Sequence, residues 1–277
     1  MTATALRLPA FRSGLPPIAA WEPVTTRLGF ALLAVLPPLA LAALLDPREL
    51  HGISLWAKPM KFAVALSLYL LTLGLFAAFV DPVWRARRRF RWPIAAGAAA
   101  IALEQVLITL QSARGVGSHF NLATGFDAGV YAAMGAGSVI LTAMTLPVAA
   151  GLARYAAGRL DGGVRRAIVA GLLLTPVLTL ITAGTMSSGD GHWVAGARSD
   201  AGGLALMGWA RDGGDLRVPH FFATHAMHAL PLAALLLLPL VRLGRRGAGV
   251  LAVLYAAFVL ATFAQALAGQ PFLPVLG

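Results

Sequence analysis

Long apolar runs alternate with short polar segments along this chain. Seven of the runs predict helices, over 28–45, 62–80, 93–110, 130–152, 167–186, 221–241 and 248–268. Each is close to the ~20 residues that an α-helix needs to cross ~30 Å of hydrocarbon. Pro37 and Pro38 soften the first run, and the third contains Glu104. The expected architecture is an all-α integral membrane protein, a bundle of seven transmembrane helices over 28–268. A proline-rich segment, 1–27, precedes it and a tail, 269–277, follows. The longest polar insertion, 187–219, parts the fifth and sixth spans. No polar linker of domain-separating length is present, so one bundled domain is expected.

Composition agrees with the pattern. The 277 residues are 58% hydrophobic and 12% charged, with a mean hydropathy of +0.77, whereas a soluble domain carries roughly a quarter charged residues. The chain has no cysteine, which excludes disulfides, thiolate metal sites and covalent haem attachment. A formal charge of +11 raises the question of nucleic acid. The placement of the charge answers it. Arg7, Arg12 and Arg27 lie at the N-terminus. Arg85, Arg87, Arg88, Arg89 and Arg91 lie between spans two and three. Arg154, Arg159, Arg165 and Arg166 follow span four, and Arg242, Arg245 and Arg246 follow span six. These are 15 of the 22 basic residues, all in segments that share one side of the membrane. Positive residues mark the cytoplasmic side. The N-terminus is therefore expected inside, the C-terminus outside, in the cell inner (plasma) membrane. The partner is the lipid bilayer, and no nucleic acid is called for.

The opposite side then holds 46–61, 112–127 and 187–219, and all six histidines lie on or near it. Histidine is costly in hydrocarbon, so intramembrane histidines are functional suspects. His225 and His228 are three apart and share a helix face. Glu104 is expected about two turns below the outer end of its span. It meets His228 if the third and sixth spans are neighbours, with Gln111 at the rim. His119 and Asn121 sit in a glycine-containing loop, 111–121, read as a lid. Asp215 either caps a helix, pairs with Arg217 or orients His220. Lys58 and Lys61, beside Trp56, either snorkel at the interface or hold an anion, with Arg114 and Arg217 as further anion contacts. Gly125, Gly129, Ala133 and Gly137 recur every four residues and read as a packing stripe.

The expected site has Glu104, His119 and Asp215 as catalytic groups and His119, His220, His225 and His228 as metal ligands. A transition metal or haem is the expected cofactor, and a quinone or other small molecule is an alternative ligand class. The leading functional expectation is a metal- or cofactor-dependent redox protein. The alternatives are a proton-coupled transporter and a membrane protein that binds a partner through its outer loops. Against transport, no inverted repeat and no pair of broken helices is legible.

The strings W-A-K-P-M-K-F at 56–62, Q-S-A-R-G-V-G-S-H-F-N at 111–121 and G-D-L-R-V-P-H-F-F-A-T-H at 214–225 resemble an uncharacterised family of bacterial multi-pass membrane proteins. The resemblance covers about a tenth of the chain. It implies the membrane class and no particular activity. Membrane desaturases carry several histidine clusters, of which only His225-x-x-His228 has a counterpart here.

Overall fold

The structure, a computed structural model, describes residues 14–156, 160–189, 191–237 and 244–273. Arg7, Arg12, Arg159 and Arg242, the end of the sixth predicted span and the last four residues lie outside them. The protein is all-α, with 71% of the described residues helical. Its helices are α1 Pro23–Ala34, α2 Leu36–Leu45, α3 Ala57–Ala77, α4 Pro82–Ala86, α5 Arg88–Arg114, α6 Gly125–Ala143, α7 Thr145–Arg154, α8 Gly162–Ser188, α9 Arg217–Thr224, α10 Ala226–Leu237 and α11 Arg245–Leu267. Among the described residues, six continuous stretches are long and apolar enough to cross a membrane, with α1–α2 and α6–α7 each forming one. A seventh is made by α9 and α10, bent 60° at their junction. Six to seven such helices fit a multi-pass membrane protein.

Local chemistry sets the helix ends. Glu22 accepts a hydrogen bond from the Thr25 amide with Pro23 in the first turn, so the first span begins five residues before the apolar run at Leu28. Likewise α3 begins at Ala57 and takes Lys58 and Lys61 into its first two turns. Gly115, at φ 76°, ends α5 in the left-handed conformation that glycine tolerates. Thr124 caps α6 and also donates its hydroxyl to Asp127.

The bundle is polar inside and apolar outside along several faces. On α5, Glu104, Gln105, Gln111 and Ser112 are buried while Leu103, Val106 and Leu110 are exposed. That inversion is what lipid, which competes for apolar surface but not for polar groups, allows. The core joins Leu70 and Leu73 of α3 to Ile94 and Ile101 of α5, Leu152 of α7, Ile168 and Leu172 of α8 and Met227 of α10. Helix α8 is the post on which α7, α9, α10 and α11 pack, whereas α5 packs chiefly on α6 and α3.

The loops gather at two ends. At one, Arg85 donates to the Ala20 carbonyl, the Asp81 amide to Tyr155, and Arg165 to Leu152 and Ala153. This arginine end joins 17–22, 78–92, 155–156 and 160–166. At the other, two short antiparallel ladders form, β1 Glu49–Leu50 with β2 Ile53–Ser54 and β3 Trp193–Val194 with β4 Gly214–Asp215. His51 and Gly52 make the first hairpin turn with φ of 54° and 79°. Asp200 and Ser199 bond to the His51 carbonyl, which ties the 191–216 loop to this hairpin.

Candidate functional site

Three chain segments converge at the loop end on His119. Helix α3 brings Lys58, whose Nζ lies 3.2 Å from His119 Nδ1. Helix α5 brings Glu104, whose Oε1 lies 3.5 Å from His119 Nε2. The 115–124 loop brings His119 itself, with Ser118 Oγ 3.1 Å from Nδ1. An ammonium only donates, so Nδ1 is the acceptor and Nε2 carries the proton that faces Glu104. Burial, and then the Lys58 charge, hold the His119 imidazole well below its ordinary range, which keeps it neutral. The order ammonium, neutral imidazole, carboxylate is a proton relay in form. Phe62, Phe120 and Tyr131 ring the imidazole at 5.9, 6.2 and 6.1 Å.

One atom of this group has no use inside the protein. Among the described residues, Glu104 Oε2 is buried without a hydrogen-bond partner. It faces Gly137 of α6, where an added Cβ would stand in ordinary contact with it at 3.8 Å, so the gap beside the carboxyl has room for a methyl group. The Tyr131 hydroxyl, near the same ring, is also buried and unpaired among the described residues.

The sequence expectation that Glu104 meets His228 is corrected here. Helix α3 flanks α5 at this depth, while α9 and α10 pack on α8 and α11. Lys58, read from the sequence as an anion contact or a snorkelling residue, supplies the charge instead. Lys61 donates to the Met207 carbonyl at 3.2 Å. The other two expected anion contacts are occupied by acids. Arg114 pairs with Asp127 at 2.6 Å and also meets Gln111. Arg217 grips Asp215 at 2.6 Å and Asp200 at 2.7 Å.

Asp215 is expected to be catalytic, yet its oxygens accept from the Arg217 side chain and from the amides of Arg217 and Ala210. It closes the 191–216 loop and does not orient His220, which meets Thr182 Oγ1 at 3.0 Å. His192 approaches Asp200 at 4.0 Å. Burial lowers the His192 pKa against the raising effect of Asp200. Burial opposes ionisation of Asp200, but His192 and the Arg217 guanidinium outweigh it and hold the carboxyl below its usual range.

The four-histidine metal site is not formed. His119 goes to Lys58 and Glu104, and His220 to Thr182. His225 and His228 face each other, with their Nδ1 atoms 3.1 Å apart. Among the described residues, no group of three or more His, Asp and Glu is arranged to hold a metal ion. The helix bends at His225, so His220 stands on α9, His228 on α10 and His225 at their junction.

Several participants carry little or no mark in the sequence pattern. Thr175, Thr179 and Thr182 are buried on one face of α8, a stripe whose helical spacing is the one signal that could have found them. Asp200 and Ser118 lie in loops without periodicity and carry no signal. Of the small-residue stripe, only Gly137 is buried, while Gly125 and Gly129 face open space. No protein-family model matches the chain, and neither a curated protein nor a solved structure matches it.

Proposed function

We propose that this is a plasma-membrane protein of seven crossings, N-terminus inside, that exchanges protons at an outward-facing site and couples the exchange to a small polar solute. The observation that carries the reading is the relay from the half-buried Lys58 and His119 to the buried Glu104, with one carboxyl oxygen left free. Glu104 is the exchanging group, and Oε2 is the atom that meets the incoming proton or a donor on the solute. His119 passes the proton on, and Lys58 fixes its tautomer. The bent sixth span supports the same reading, because broken helices line ion and solute sites in transporters. His225 and His228 lie at and just past that bend, a second place where a proton can rest between two imidazoles. Orientation rests on the alternation of the spans, which gives 15 of the 22 basic residues to the side of the arginine end. The metal-dependent alternative has less support, because no three His, Asp or Glu groups among the described residues are arranged to hold an ion.

The test uses protein reconstituted into vesicles that enclose a pH-sensitive dye, under an imposed proton gradient. Wild type is expected to dissipate the gradient. Glu104→Gln keeps the size and removes the titrating oxygen. It is expected to slow the exchange by about a hundredfold, at the low end of what a positioned acid–base group contributes. Equal rates in the two proteins would remove Glu104 from the mechanism. A wild type no faster than empty vesicles would sink proton exchange altogether.

A further inference from the structure

Within the long loop, residues 201–210 read A-G-G-L-A-L-M-G-W-A, a stretch without a charge between Asp200 and Arg211. In water such a stretch folds inward, and its base does so. Trp209 and Ala210 are buried, and the indole packs at 5.4–6.1 Å from Phe221, Phe222 and Phe272. The tip points the other way. Leu206 is 92% exposed, and it is held at φ 67°, in the left-handed region that side chains with a Cβ avoid. Exposure and backbone strain both disfavour this arrangement, and among the described residues the leucine side chain is left almost wholly uncovered.

The tip is nevertheless held firmly. The Leu204 amide donates to the Trp209 carbonyl at 2.8 Å and the Gly208 amide to Leu204 at 2.7 Å. Lys61 Nζ and Arg217 Nη2 donate to the carbonyls of Met207 and Gly208 at 3.2 and 2.8 Å. A strained leucine presented on a rigid turn is preorganised for something outside the chain.

The position says what that is. Lys61 stands in the second turn of α3, a helix long and apolar enough to cross a membrane. The turn therefore lies within one side-chain length of the end of a span, where hydrocarbon gives way to head groups. Below Lys61 the same face of α3 presents Val64 and Leu68, both exposed. The tip continues a surface already suited to lipid, with an ammonium beside it that suits a lipid phosphate.

We infer that the turn from Leu204 to Trp209 is an interfacial anchor that sets Leu206 into the acyl boundary of the leaflet at the loop end. The inference is independent of the proton relay. It makes the bilayer a partner of the long loop, and through Arg217 it connects lipid to the Asp200–Asp215 clasp.

The chain has no cysteine, so a single introduced cysteine takes a spin label without background. Leu206→Cys, the neighbouring Ala205→Cys and, as an aqueous reference in the same loop, Ala197→Cys are labelled in the full-length protein. They are then reconstituted into phosphatidylcholine–phosphatidylglycerol vesicles. Collision rates are measured with oxygen, which concentrates in hydrocarbon, and with a water-soluble nickel chelate. The oxygen-to-nickel ratio is expected to be severalfold higher at 205 and 206 than at 197. Because Ala205→Cys leaves Leu206 in place, it reads the tip even if the other variant fails to fold. Ratios at the tip equal to that at 197 would overturn the anchor. Labels shielded from both reagents would overturn it too, and would show a protein surface covering the tip.

Discussion

Glu104 shows how one residue can be legible while its partners are not. A carboxylate inside an apolar run is expensive, so its place in the third span is by itself the mark of a site. His119 is legible for its loop glycines and its neighbours. Lys58 is not, because a lysine at the start of a span more often reaches back to the interface. Its burial against His119 depends on α3 starting at Ala57, a boundary set by backbone geometry that hydropathy does not report. The loop histidines also carry a pH prediction. His119 and His192 are held below their ordinary range mainly by burial. In the unfolded chain each takes up a proton near the usual value of about 6.5. As pH falls through that value the unfolded state binds more protons than the folded one, so stability is lost toward acid and is fully present above it. The thermal midpoint of the detergent-solubilised protein is expected to drop between about pH 7 and about pH 5. In the double variant His119→Gln, His192→Gln that drop should be smaller than in wild type. A wild-type midpoint that stays level over this range would show that neither histidine is kept neutral by the fold.

Among the elements, the bent sixth span is the clearest departure from the sequence. The apolar run is continuous from Phe221, and no glycine or proline stands at His225, so periodicity gives no sign of a break. What sustains the bend comes from the facing helix. The Met227 amide, freed by the break, donates to Thr175 Oγ1 of α8 at 3.1 Å. The Tyr255 hydroxyl of α11 donates to the Phe222 carbonyl at 2.7 Å. Gly171 lets α8 approach so closely that a Cβ there would lie 2.7 Å from the Ala226 carbonyl oxygen. That contact is backbone and cannot move aside. Gly171→Ala is therefore expected to destabilise the protein by about 1–3 kcal/mol, the usual range for overpacking. Gly184→Ala, on the same helix with nothing within 4 Å of its Cβ, should be neutral or slightly stabilising. Thermal unfolding of both variants in one detergent checks the pair. Equal effects would mean that the close approach at Gly171 has no energetic role. The other spans are legible because a run of about twenty apolar residues has few alternatives to a membrane helix.

For the whole molecule, the distribution of charge and the distribution of chemistry oppose each other along the bundle. The arginine end is built of side chains that cap helices and stack, such as Arg165 on the Leu152 and Ala153 carbonyls and Arg87 over Trp84 and Tyr155. The loop end holds the relay, the Asp200–Arg217–Asp215 clasp and the Leu206 tip. If basic loops stay on the cytoplasmic side, with each basic residue near an anionic surface contributing about 1 kcal/mol, the relay must open outward. That inference is checked without knowing any solute. Ala86→Cys and Ala197→Cys place single thiols on exposed positions at the two ends in an otherwise cysteine-free chain. A membrane-impermeant maleimide added to intact cells is expected to label 197 at once and 86 only after lysis. The reverse pattern would invert the protein. Glu104 would then draw its protons from the cytoplasm, and the fifteen arginines would need a reason other than topology.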